Sequence, residues 1–290
     1  LLREVATGYE RLGRVLGEPS AQNMGDIPGA LACYDRALEL LESIPGAEHT
    51  AGVQRSIGQV HGSIGAAHLA AGRTPEAAAA YERALAYTRR AADLEPARDF
   101  SADLALANAN LARLHQTLGR HEDAIRGYRA YIEYAEGVAR ENPGDLTNRR
   151  NIAMLLGRIA ELRTRGDDVE GALEELSEAE RILSEILSIE PENRMFLLTL
   201  QSTHIHFGDS LMEIERTDEA IDHFEQAEAI ARRVAEADPA DQHARRGLAT
   251  CTFWLANAHT DLGNAEESLE YAREYLRLTD AMIERAPEYA

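Results

Sequence analysis

The chain has 290 residues, 44% apolar and only 6% aromatic, and 50 acidic against 30 basic side chains give it a formal charge of -20. That balance repels phosphate backbones and anionic head groups and argues against nucleic acid as a partner. Every basic residue is Arg, so there is no P-loop lysine, no phosphate-binding kinase lysine and no Schiff-base amine, and no run of 18 apolar residues offers a membrane span.

In chain order, a first unit over residues 1–49 starts inside a helix, with Leu2, Val5, Tyr9, Leu12 and Leu16 near a 3.6-residue period. Gly17 to Gly25, GEPSAQNMG, reads as a surface loop with a five-residue insertion, because Ala30 stands 17 positions after Gly13 where Ala77 stands 12 after Gly65. A second helix over Pro28 to Ile44 has Pro in its first turn and ends at Pro45-Gly46. The units 50–99 and 100–146 are the most regular, with first helices over Ala51 to Ala71 and Ala102 to Leu118 closed by Gly72 and Gly119. Unit 147–194 keeps Gly166 at the turn but carries one extra residue before Ala172. Its second helix, Val169 to Ile189, sets many carboxylates against Arg181 alone and reads as a solvated outer face. In unit 195–242, Glu215 stands where the turn glycine falls elsewhere, which implies a different turn; in unit 243–290, Ser268 and Ala272 weaken the contact between helices.

These units share one pattern. The residue opening each second helix is Ala30, Ala77, Ala124, Ala172, Ala220 and then Ser268, at steps of 47, 47, 48, 48 and 48 residues. Four residues on come Tyr34, Tyr81, Tyr128, Leu176, Phe224 and Ala272, and three further Ala37, Ala84, Tyr131, Ala179, Ala227 and Tyr275, one helix face in each case. Pro45, Pro96, Pro143, Pro191, Pro239 and Pro287 stop the units. Within 64–96, Gly65, His68, Gly72, Ala77, Tyr81 and Ala84 have the spacing of two antiparallel helices in close contact, and this spacing resembles the tetratricopeptide repeat (TPR). The resemblance implies an all-α, right-handed superhelical solenoid of six antiparallel helical hairpins in one repeat domain, 1–290. The long period is expected to lengthen both helices to about 20 residues, roughly 30 Å.

Two further features are similar to the C-terminal repeat regions of bacterial serine/threonine protein kinases: the phrase Asn23-Met24-Gly25-Asp26-Ile27-Pro28-Gly29-Ala30-Leu31, and the helix starts Arg150-Asn151-Ile152-Ala153 and Arg246-Gly247-Leu248-Ala249. This likeness implies the sensory or partner-binding region of a bacterial receptor-like kinase, extracytoplasmic beyond a membrane span that precedes Leu1. The alternative is a free-standing, cytoplasmic adaptor or chaperone-like assembly factor holding a client in its concave groove.

No catalytic residue, cofactor or metal site is expected. His204 and His206, two apart on a helix, point to opposite sides; no GxSxG elbow or glycine-rich phosphate loop is present, and Cys33 and Cys251 fall in the first and last units. Arg3, Arg55, Arg150 and Arg246 recur near first-helix starts, with Ala102 and Leu198 in the other two units, and each is expected to reach a carboxylate on a neighbouring helix, such as one of the previous unit. In the TPR family the first helices build the concave face, and the register places Asn110, Arg113, Gln116, Arg163, His206, Asp209, Trp254 and Asn257 on or near it. Amides and arginines there suit a protein or peptide ligand, with Trp254 either a pocket wall or a cap on the core. The apolar faces of the first and last helices either pair with another copy or are shielded by flanking residues.

Overall fold

The computed structural model describes residues 1–17, 24–238 and 241–285. They contain no strand and form twelve α-helices: α1 (Leu2–Gly17), α2 (Ile27–Glu42), α3 (Ala51–Ala70), α4 (Thr74–Leu94), α5 (Ser101–Thr117), α6 (His121–Glu141), α7 (Leu146–Thr164), α8 (Val169–Ile189), α9 (Arg194–Met212), α10 (Thr217–Ala237), α11 (Gln242–Asp261) and α12 (Ala265–Arg285). From α3 onward the helices run 17 to 21 residues, the length the long period requires. Asp26, Asp145 and Asp168 cap their helices by accepting from the backbone N–H of Gly29, Asn148 and Gly171. The inserted loop lies outside the described residues except for its ends, as do Pro239 and Pro287.

The chain forms two compact units, Leu1–Tyr134 and Ala135–Ala290. In the first, Ala30, Tyr34, Ala37 and Leu41 of α2 join Val53, Ile57 and Val60 of α3 in one buried cluster. In the second, Ala160, Ala172, Leu176 and Phe207 form one cluster, and Leu211, Ala220, Phe224, Leu255 and Ala258 another. Three of the hairpins close by a glycine against a ring. A β-carbon on Gly13 would stand 2.5 Å from the Tyr34 ring, one on Gly65 2.5 Å from Tyr81, and one on Gly208 2.3 Å from Phe224, distances no real β-carbon tolerates. The glycines admit the aromatic ring to the partner helix, and Tyr34, Tyr81 and Phe224 are fully buried as a result.

The turns correct two expectations. In the five hairpins after the first, Gly72, Gly119 and Gly263 are left-handed (φ 71°, 68° and 77°), and the equivalent residues of the remaining two are Asp167 (φ 63°) and Glu215 (φ 59°). In all five, the next residue's N–H bonds the carbonyl five positions back: Arg73 to His68, Arg120 to His115, Asp168 to Arg163, Arg216 to Leu211 and Asn264 to His259, at 2.9–3.0 Å. Gly166 is therefore not the left-handed turn residue, no extra residue stands between the turn and Ala172, and Glu215 makes the same turn as the glycines. A side chain in that region is strained, so Glu215→Gly is expected to stabilise the chain by about 1 kcal/mol in urea unfolding. A neutral or lower midpoint would contradict this account.

The arginine row also differs from expectation. Arg3 Nε donates to Ser56 Oγ (3.2 Å), Arg55 Nε to Asp103 (2.7 Å) and Arg150 Nε to Thr199 Oγ1 (2.9 Å). Each reaches forward to the next unit's first helix, and only Arg55 finds a carboxylate. Nor is α8 wholly an outer face: Glu175 is buried beside Arg163, its Oε1 3.3 Å from Nε.

Candidate functional site

First helices of neighbouring hairpins line one groove in each compact unit. In unit 1 a groove of about 510 Å³ lies between α3 and α5, with Arg14 of α1 at its margin. Its floor is small, from Gly58, Gly62, Ala66 and Ala107, and Leu106 projects into solvent at 54% exposure. In unit 2 a groove of about 380 Å³ lies between α7 and α9. The lining positions are repeats of one another: Gly58, Gln59, Gly62, Ser63 and Ala66 correspond to Ala153, Met154, Gly157, Arg158 and Glu161, while Asp103, Leu106, Ala107 and Asn110 correspond to Thr199, Ser202, Thr203 and His206.

Two glycines hold these grooves open. A β-carbon on Gly62 would meet only Asn110 Nδ2, at 3.8 Å, and one on Gly157 only His206 Cδ2, at 3.7 Å. Glycine inside a helix costs about 1 kcal/mol relative to alanine, and neither position has a core contact that demands it. These two glycines differ in kind from Gly65 and Gly208, whose missing β-carbons make room for a ring.

Of the residues singled out in the sequence, Asn110 lines the first groove and His206 the second. Arg113 also borders the first, but its Nη2 donates to the Tyr81 hydroxyl (2.8 Å) and braces the previous hairpin. Gln116 accepts from the Tyr128 hydroxyl at 2.8 Å. Arg163 is drawn into its own hairpin by Asp168 and Glu175. Asp209 is half-buried; burial pushes its carboxyl upward while the nearby His206 opposes that, and burial pushes the His206 imidazole downward. Trp254 stacks on Phe224, centroids 5.6 Å apart and planes within 10°, and Asn257 is half-buried on α11. His204 turns away from His206 into the α9–α10 interface, where its Nδ1 lies 3.1 Å from Nδ1 of His223.

Gly62, Gly157, Leu106, Met154, Arg158 and Met195 also line the grooves, although the sequence pattern did not single them out. The signal was present, since two interior-helix glycines share one repeat position. The second groove is lined by Arg150, Arg158, Arg194 and Glu161, with Met154, Met195 and Leu198, and Glu161 is paired with Arg165 at 2.7 Å. Arg194 is paired with Asp241, whereas Arg158 is exposed. A chain of charge -20 thus has a locally basic groove.

Paired helices, ring-into-glycine closure and a fixed period of about 48 residues define the class as a TPR-like solenoid repeat fold. Solved structures agree. BtubC (BKLC) from P. vanneervenii is similar at 16% identity and a TM-score of 0.64, over 88% of this chain and 90% of that one. A Podosopora anserina putative kinesin light chain with nearly identical TPR-like repeats matches at 16% identity, TM-score 0.53, over 82% and 95%. The assembly chaperone of RpL4, Acl4, matches at 17% identity, TM-score 0.50, over 98% and 89%. No family model and no curated protein sequence matches the chain.

Proposed function

We propose that the chain is a non-catalytic scaffold that binds protein or peptide segments along its first-helix grooves, its six hairpins forming one repeat domain. The carrying observation is the pair of glycines, Gly62 and Gly157, that leave open space at one repeat position at the expense of helix stability. The first groove suits a chain segment with a small apolar side chain against Leu106, its backbone met by the Asn110 amide. The second suits a segment carrying a carboxylate for Arg158 and an apolar residue for Met154 and Met195.

The test fills the space. Gly62→Leu and Gly157→Leu are each expected to keep their helices, checked by circular dichroism, because a β-carbon at either position meets nothing closer than 3.7 Å and leucine favours the helix. Peptides selected on the parent from a random display library should bind the double variant at least about tenfold more weakly, the scale for shutting one well-packed side chain out of its groove. Undiminished affinity would remove the grooves from consideration.

Two finer readings share this scaffold. The phrase 23–31 and the helix starts at Arg150 and Arg246 favour the partner-binding region of a bacterial receptor-like serine/threonine kinase. The likeness to the RpL4 assembly chaperone favours an adaptor that holds a client. Reading the gene upstream of Leu1 separates them: a kinase domain followed by about 20 apolar residues supports the first, and an adjacent start codon supports the second.

A further inference from the structure

On α12, the side facing its neighbours carries Tyr271, Tyr275, Leu278 and Met282, which pack against α10 and α11. The opposite side bears Leu269, Arg273, Leu276, Asp280 and Ile283. Offsets of 4, 7, 11 and 14 residues fall within about 80° around a helix, so these five form one straight row. The three apolar members are 50%, 57% and 50% exposed. Arg277 on the same helix is engaged by Glu274 at 2.6 Å, whereas Arg273 and Asp280 have no ion pair among the described residues.

The order of the row is Leu, Arg, Leu, Asp, Ile, and it reads as its own complement in reverse. When a second copy of α12 lies antiparallel with its Leu276 on this Leu276, Leu269 meets Ile283 and Arg273 meets Asp280, and each pair occurs twice. A surface that pairs residue i with j and j with i under a two-fold axis is the requirement for a closed homodimer. The parallel alternative sets Arg273 on Arg273 and Asp280 on Asp280. A further hairpin or an unrelated client has no need of opposite charges placed symmetrically about Leu276. We propose that this chain forms a two-fold homodimer by antiparallel pairing of the outer row of α12, with Leu276 on the axis and reciprocal Arg273–Asp280 ion pairs on either side.

One helix face on another buries less than about 1,200 Å² in total, so the association depends on protein concentration. Sedimentation equilibrium of the 290-residue chain is expected to show the mass rising from 31.9 kDa toward twice that value as concentration increases. Leu276→Arg places a charge on the axis in both copies and is expected to abolish the rise. Arg273→Asp and Asp280→Arg are each expected to raise the dissociation constant at least about tenfold by setting like charges opposite. The double exchange Arg273→Asp/Asp280→Arg restores both ion pairs and returns the constant to within a few-fold of the parent. The substituted side chains face solvent, and circular dichroism checks that each variant keeps its helices. A parent that stays monomeric, a double exchange no better than the singles, or growth beyond a dimer that Leu12→Arg on α1 suppresses would each overturn the proposal.

Discussion

Phe224→Ala is expected to remove about 3–5 kcal/mol from the stability of residues 135–290, the range for emptying a fully enclosed aromatic site. The ring is wholly buried. Gly208 lacks the β-carbon that would occupy its place, and on its other side the Trp254 indole stacks at 5.6 Å. Helices α9, α10 and α11 therefore meet at this ring, and none of them can close the space without sliding along its neighbour. Trp254 is the only tryptophan, so its fluorescence reports the same event. Its emission should shift to the red in the folded variant, and the urea transition followed by that emission should move to lower denaturant. A loss below about 1 kcal/mol would mean that the glycine-and-ring closure does not organise the hairpin.

Acidification should weaken both compact units, and one buried histidine in each contributes to the loss. Burial pushes the His61 imidazole down to about 4, with Arg83 adding to the effect, while the ring stacks on Tyr87 at 5.4 Å. Burial likewise pushes His204 down to about 4, assisted by His223, to which it is linked at 3.1 Å. His223 stacks on Phe207 at 4.3 Å and has Glu180, Glu219 and Asp222 around it. Both folded values lie below the ordinary 6.5, so the unfolded chain takes up protons that the folded chain refuses. Stability is full above pH 6.5 and is lost as the pH falls toward 4, by roughly 2 kcal/mol per histidine at pH 5. Urea midpoints at pH 7 and pH 5 measure the loss. His61→Phe, which keeps the stack on Tyr87, and His204→Leu should each flatten the dependence in their own unit. An unchanged slope in both variants would assign acid sensitivity to other groups.

The recurrence was legible because a helical hairpin writes its contacts locally. Ala30, Ala77, Ala124, Ala172 and Ala220 open the second helices, and all five are fully buried. Gly65 stands before Tyr81 and Gly208 before Phe224 at the same interval, so helix number, helix length and the closing contact could all be read from spacing. The turns were less legible. The left-handed residue is fixed by its place after the last helical carbonyl, so the conformation persisted at Asp167 and Glu215, where the residue type changed.

The groove surface was legible only in part. Asn110 and His206 could be placed by register, but register does not say whether a polar side chain faces a ligand or a neighbour. The sequence by itself determined an all-helical repeat with a fixed period, an acidic surface and no lysine chemistry, because those depend on composition and on contacts within one hairpin. Tertiary structure alone decided that Arg113, Gln116, Arg163 and Trp254 are engaged by Tyr81, Tyr128, Asp168 with Glu175, and Phe224. It also decided that Gly62 and Gly157 face empty grooves while Gly65 and Gly208 face rings. The physical reason is that a glycine or an arginine reads the same in sequence whatever stands opposite it, and what stands opposite is set by packing between helices.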